Sequence, residues 1–464
     1  MGRSVYQGVL FHCFSRADAK AKFVLLAFVL RYGASEAVPV NSARRAETLG
    51  LSQQDLRYGL DQLLSEGYLV EEVPAGRQAG RPNRIFSLSK QVAGLLSRSA
   101  EREAAHGDLI RRVVEGPEVL AIRPSDDQAI PKPGERVVWI NDKPVPKRRN
   151  RLSLPNRLLL AVLLAHADDF GIVRGLGGAE LCRLVGVDAA SLKQRIRKLI
   201  SLGYIRRHIP GCASPLLSKK LKSIFIMNLN HPQLAGRNGK VLIHQSSVRP
   251  DSDIKYIRGM IGDVRAWRSE VWAVPTPAQV VIDFLREPLA VFSQLDFNLC
   301  CWASKLLVGQ SEGQDGKAAV RGAIYDFFRA STLRSQVREG VSSDPALDEQ
   351  RAHSKREDMV EYFFQLACQL ADECRERFAM SDEACLDYRD LTLVPSHLSE
   401  GNRCMALLVR ISSPQVDQDS VVITEAEEGV WSMSYSRESD IDGSLLFECG
   451  LLERAASGLS NPAE

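Results

Sequence analysis

The sequence predicts a mainly α-helical protein with small β hairpins, followed by an α+β domain. Three observations predict this. An apolar pattern at helical spacing occurs twice, at a constant offset of 136 residues. Each copy runs into two short β-like segments around a basic loop rich in turn residues. Charge also divides the chain: residues 1–250 hold 39 Lys+Arg against 21 Asp+Glu, a net +18, whereas residues 251–464 hold 21 against 36, a net −15.

The two copies align without a gap from Leu49 to Leu69 and from Val185 to Ile205. Six of these 21 positions are identical, and many others keep their physical character. In the first copy, Ala19 to Arg31 reads as an apolar helix ending near Gly33. Ala37 to Val40 is a short extended piece, Ser42 caps a brief helix over Ala43 to Leu49, and Gly50 makes a turn. Ser52 caps the next helix, with Asp55 three residues on as a capping-box variant. Its stripe is Leu56, Leu60, Leu63 and Leu64, and Gly67 ends it. Tyr68 to Val73 and Ile85 to Leu88 read as paired strands.

In the second copy, Asn156 to Ala167 is the apolar helix, with Pro155 in its first turn. Ile172 to Arg174 is extended, and Ala179 to Val185 is the short helix. Asp188 caps a helix with the stripe Leu192, Ile196, Leu199 and Ile200. Tyr204 to Ile209 and Ser223 to Asn228 are strands.

This order resembles a winged helix. The segment LSQQDLRYGLDQLLSEGYLVE, 51–71, is similar to the recognition region of bacterial winged-helix repressors of the ArsR and MarR kind, and GRQAGRPNRIFSLS, 76–89, to their wing. The second copy resembles winged helices of phage and plasmid replication proteins and of bacterial regulators. The expected layout is a winged-helix domain over 15–115 with its C-terminal helix, a linker over 116–150, a second winged-helix domain over 151–230, and an acidic α+β domain over 231–464. Residues 90–115 read as one helix; the linker is proline-rich and ends in the basic run 147–151.

Residues off the buried stripes are the candidates for DNA contact. In the first copy these are Gln53, Gln54, Arg57 and Tyr58; Gln can pair with adenine and Arg with guanine through two hydrogen bonds. In the second they are Ser191, Lys193, Gln194, Arg197 and Lys198, a set suited to phosphates. The loops add Arg77, Arg81 and Arg84 in the first copy and Lys219, Lys220 and Lys222 in the second. Guanidinium groups on a Gly/Pro-rich loop suit a narrow minor groove.

The acidic half reads as helices over 277–287, 293–307, 318–339 and 348–378, then strands over 405–412, 420–424 and 430–435; residues 230–275 read as irregular. Helix 348–378 carries the stripe Met359, Tyr362, Phe363, Leu366 and Leu370, which must be buried in its own domain or in a second chain. Homodimer formation and binding of a small-molecule or protein effector both fit this half.

The sequence has no Walker A, HExxH or GxGxxG motif, and its ten cysteines and eight histidines show no zinc-ligand spacing. No enzyme activity, cofactor or metal is expected. No apolar run reaches the roughly 18 residues of a membrane span, and the first residues lack a signal peptide, so a cytoplasmic protein without membrane contact is expected. Double-stranded DNA is the expected partner. The expected function is sequence-specific transcription regulation, in the manner of a repressor, in a bacterium or mobile element. A replication or partition initiator and a protein-interaction scaffold are the alternatives.

Overall fold

The computed structural model describes residues 6–14, 16–33, 38–39, 46, 48–72, 85–99, 104–116, 138–140, 143–145, 152–234, 240–246, 284, 287–309, 314–328, 345–379, 391–395, 403–409, 421–425, 431–435, 438–448 and 451–452. These residues are mainly helical with a few small sheets. They fall into two compact units. The first takes 1–208, 225–237 and the chain from 452; the second takes 209–224 and 238–451.

In the first unit both repeats form around their apolar helices. These are α2 (Ala19–Tyr32), following the short α1 (Gln7–Phe11), and α6 (Leu154–His166). Both are buried along nearly their whole length because they pack on each other and on their own repeats within one hydrophobic core. The outer helices are α3 (Gln53–Ser65) and α8 (Ala189–Ser201), the latter preceded by α7 (Gly178–Val185). The stripes Leu56, Leu60, Leu63 and Leu192, Ile196, Leu199, Ile200 are buried, while Leu64 is half-buried. The short helix expected over 43–49 lies, apart from 46 and 48–49, outside the described residues.

Each repeat closes with a three-stranded sheet of the same order. Strands β1 (Val38–Pro39), β2 (Leu69–Glu72) and β3 (Ile85–Leu88) run β1-β3-β2. Strands β6 (Ile172–Val173), β7 (Ile205–Ile209) and β8 (Ile224–Met227) run β6-β8-β7. Registers such as Leu69↔Leu88 and Ile172↔Ile226 place the second hairpin strand in the middle. Between the repeats, β4 (Val138–Ile140) and β5 (Lys143–Val145) pair as a hairpin inside the stretch expected as linker.

The single helix expected over 90–115 is instead two, α4 (Lys90–Ser99) and α5 (Gly107–Glu115). The break is held by the start of the chain. The Gln7 Oε1 accepts from Ala104 N at 2.9 Å and Tyr6 Oη donates to Gly107 O at 3.2 Å. Those bonds replace the helical ladder at the point where it stops.

The end of α5 is buried, so its last carbonyls need donors. Arg157 on α6, 6% exposed, supplies them. Its Nε donates to Val113 O at 2.8 Å and its Nη2 to Val114 O at 2.7 Å, while Nη2 and Nη1 reach Gly116 O at 3.3 Å and Gly50 O at 3.4 Å. The guanidinium carbon lies 4.8 Å from the Phe23 ring centroid. A cation at a helix C-terminus also meets the negative end of the dipole.

In the second unit, β9 (Lys240–Ser246) is the centre of a sheet with β10 (Leu391–Pro395), β11 (Arg403–Val409), β12 (Val421–Glu425) and β13 (Trp431–Tyr435), ordered β10-β11-β9-β12-β13. Only β9 and β12 are parallel within it. Three long helices accompany it, α9 (Leu289–Gly309), α10 (Gln314–Phe327) and α11 (Pro345–Ala379), and a short α12 (Gly443–Glu448) follows. Helix α9 covers the edge strand β10, and Ser304 Oγ accepts from Leu393 N at 2.9 Å. An edge strand can thereby be buried at every position. Residues 240–246 and 391–395 were not expected as strands; both belong to this sheet. Met359, Phe363, Leu366 and Leu370 of α11 are buried in this unit's own core and Tyr362 packs against it, so the stripe needs no second chain to cover it. Among the described residues no helix is long and apolar enough to cross a membrane.

Two predictions follow from this packing. Replacing Arg157 by Met strands several buried carbonyls, and urea unfolding should show a loss of about 3 kcal/mol, with Arg157→Lys losing less. His208 stacks on Phe225 with ring centroids 4.6 Å apart, and burial lowers its pKa to about 4. The unfolded chain, with an ordinary histidine near 6.5, therefore takes up this proton first. Stability from this site is complete above pH 6.5 and drains away as pH falls to 4. Thermal melts should show that the His208→Leu variant loses this part of the acid sensitivity; parallel melting curves between pH 7 and 4 would contradict it.

Candidate nucleic-acid interface

The outer faces of α3 and α8 are the candidate interface. Both helices begin on a side-chain cap. Ser52 Oγ accepts from Asp55 N at 3.0 Å and donates to Asp55 Oδ2 at 2.6 Å. Asp188 Oδ1 accepts from Ser191 N at 2.8 Å and Oδ2 from Ser191 Oγ at 2.9 Å. These bonds hold the Asp188 carboxyl below the usual carboxylate range. The turn ahead of each helix contains a glycine with positive φ, Gly50 at 63° and Gly186 at 78°, a region other residues enter at a cost.

On α3, Gln53, Gln54 and Arg57 are exposed. Tyr58 is 48% exposed, but its hydroxyl is engaged: it donates to Asp18 Oδ2 at 2.8 Å, and that bond raises the phenol pKa. Lys20 Nζ lies 5.7 Å from the Tyr58 ring centroid and 3.5 Å from Asp55 Oδ1. Tyr58 is thus fastened to the start of α2, leaving the two glutamines and Arg57 as the outward polar groups named by the sequence.

On α8, Lys193, Gln194, Arg197 and Lys198 are exposed. Ser191 is half-buried and engaged in the cap. The neighbouring Arg195, passed over in the sequence, is half-buried and donates from Nη1 to Asn156 Oδ1 at 3.0 Å. It lines a cleft of about 710 Å³ where the starts of α2 and α8 meet, together with Arg16, Lys20, Lys22, Arg183, Asp18 and Asp188. Lys22 is 2% exposed and donates to Arg183 O at 2.6 Å and Leu184 O at 3.2 Å. Burial lowers its pKa to about 8. The only sequence signal for this cleft was the basic character of the segment 16–22, which did not stand out from its surroundings.

Lys219, Lys220 and Lys222 are exposed on the loop between β7 and β8, which belongs to the second unit. That loop is fixed there. Gln294 Nε2 donates to Pro210 O at 2.9 Å and to Lys222 O at 3.1 Å; Ser218 N donates to Phe327 O at 2.9 Å. Leu216 and Leu217 are buried in the same core as Phe328. The three lysines therefore stand on a braced loop. Arg77, Arg81 and Arg84 lie outside the described residues. Among the described residues no cluster of three or more His, Cys, Asp or Glu could hold a metal.

No family model matches the chain, and no curated protein or solved structure is found similar to it.

The caps set how firmly the outer helices start. Ser52→Ala should cost about 1 kcal/mol in urea unfolding, with Ser52→Asp close to the parent chain. Equal stability of all three proteins would mean that the cap contributes nothing.

Proposed function

We propose that this chain is a sequence-specific double-stranded DNA-binding protein that uses two winged-helix readers, α3 and α8, and acts in transcription regulation. The observation that carries the reading is the repeated arrangement itself. Twice, a glycine turn leads to a capped helix whose apolar stripe is buried and whose outer face is exposed and polar; that of α8 carries no carboxylate. Twice, a three-stranded sheet of the same order follows. An exposed helix of this kind fits the major groove and reads base edges with residues off its buried stripe. The excess of positive charge in residues 1–250 favours a polyanionic partner.

The two helices divide the work in this reading. Gln53, Gln54 and Arg57 on α3 are the base readers; Lys193, Arg197 and Lys198 on α8 hold phosphates.

The test is selection of bound duplexes from a random pool by the full chain, followed by titration at two salt concentrations. One preferred sequence should emerge, bound more weakly at higher salt because counterion release then gains less entropy. Gln54→Ala and Arg57→Ala should each cost about 1–3 kcal/mol on that sequence and relax the preference at single positions. Lys193→Ala and Arg197→Ala should weaken all duplexes alike and each reduce the salt slope by about 1. Equal affinity for every duplex, or none for any, would end this reading.

A further inference from the structure

We propose that α3 and α8 are held as one rigid pair, so that the duplex this chain recognises carries two sub-sites at a single fixed spacing. This rests on the reading of the two helices as DNA readers and adds what the bound site must look like.

The basis is where each helix is anchored. The turn that launches α8 is gripped from the other repeat: Lys22 on α2 donates to Arg183 O and Leu184 O, in the last turn of α7. The turn that launches α3 is gripped in the reverse direction, because Arg157 on α6 reaches Gly50 O as well as Val113 O and Val114 O. Each repeat thus sends one buried cation across to the base of the other repeat's outer helix.

The backbones also touch. Across the repeats, a Cβ placed on Gly186 would fall 2.9 Å from Ala17 O and 3.2 Å from Ala19 N; within the first repeat, one on Gly50 would fall 3.1 Å from Glu115 O, at the end of α5 that Arg157 holds. No side chain fits between these strands of backbone, so the turns cannot slide without first separating. Separation would leave a buried ammonium or guanidinium without its acceptors, which is far costlier than loosening an apolar contact. Between them, α2 and α6 fill a continuous core that both repeats share. A pair of readers on a flexible tether would behave differently. Its effective concentration would fall only slowly as the sub-sites moved apart.

The experiment uses the full chain and the duplex selected above. Footprinting locates the protected sub-sites, and then duplexes with 1 to 10 base pairs inserted or deleted between them are titrated. The expected result is one optimum. Insertion of 5 base pairs turns one sub-site to the opposite side of the duplex, and affinity should fall about a hundredfold or more, to that of a duplex with one sub-site. Insertion of about 10 base pairs restores the rotational phase but displaces the second sub-site by about 34 Å. For a rigid pair it should not restore affinity. Recovery at about 10 base pairs, affinity indifferent to spacing, or a footprint with a single protected sub-site would each overturn the inference while leaving specific DNA binding intact. Failure to bind any duplex would instead remove the functional reading and this inference with it.

Discussion

A buried helix end is a set of carbonyls that water can no longer reach, and the first unit of this protein is organised around satisfying two of them. Arg157 satisfies the end of α5 and Lys22 the end of α7. Both cations come from the apolar helices at the centre of the repeats, and both are themselves almost fully enclosed. Neither could be buried without acceptors, and neither helix end could be buried without donors. Apolar packing between α2 and α6 is non-directional and would tolerate small shifts. The cation-to-carbonyl bonds would not, and they convert two stacked repeats into a body with one arrangement.

The sequence disclosed the local parts of this arrangement well. Leu56, Leu60 and Leu63, and Leu192, Ile196 and Leu199, announce their buried faces by spacing alone. Ser52 and Asp188 announce helix starts, because a short oxygen-bearing side chain ahead of an apolar period has few other uses. The pairing of Ile85–Leu88 with the strand before it was similarly plain. All of these depend on residues within twenty positions of one another.

What could not be read depends on distant partners. Asp18 looks like any acidic residue until Tyr58, forty positions on, is found bonded to it. The break between α4 and α5 is made by Tyr6 and Gln7, about a hundred residues earlier. The strand 391–395 is buried throughout, so it lacks the alternation that marks a strand with one wet face. Strand 240–246 finds its neighbours in residues 403–409 and 421–425. The loop after β7 has the composition of any basic loop; Leu216 and Leu217 carry the apolar character that ties it down, and three leucines among the fourteen residues 210–223 show no period.

That loop has a consequence for how the molecule comes into being. The chain leaves the first unit after His208, returns to it at Phe225, leaves again after Arg237 and returns at Leu452, which is buried. The ribosome releases these segments in order, but the units do not close in that order. Leu216 and Leu217 emerge long before Phe284, Phe328 and Phe363, the aromatic residues of the core that will cover them. For that interval two leucines stand in water without the core that will cover them. A nascent chain of this design carries exposed apolar side chains, and with them a risk of trapping, until its acidic half is made.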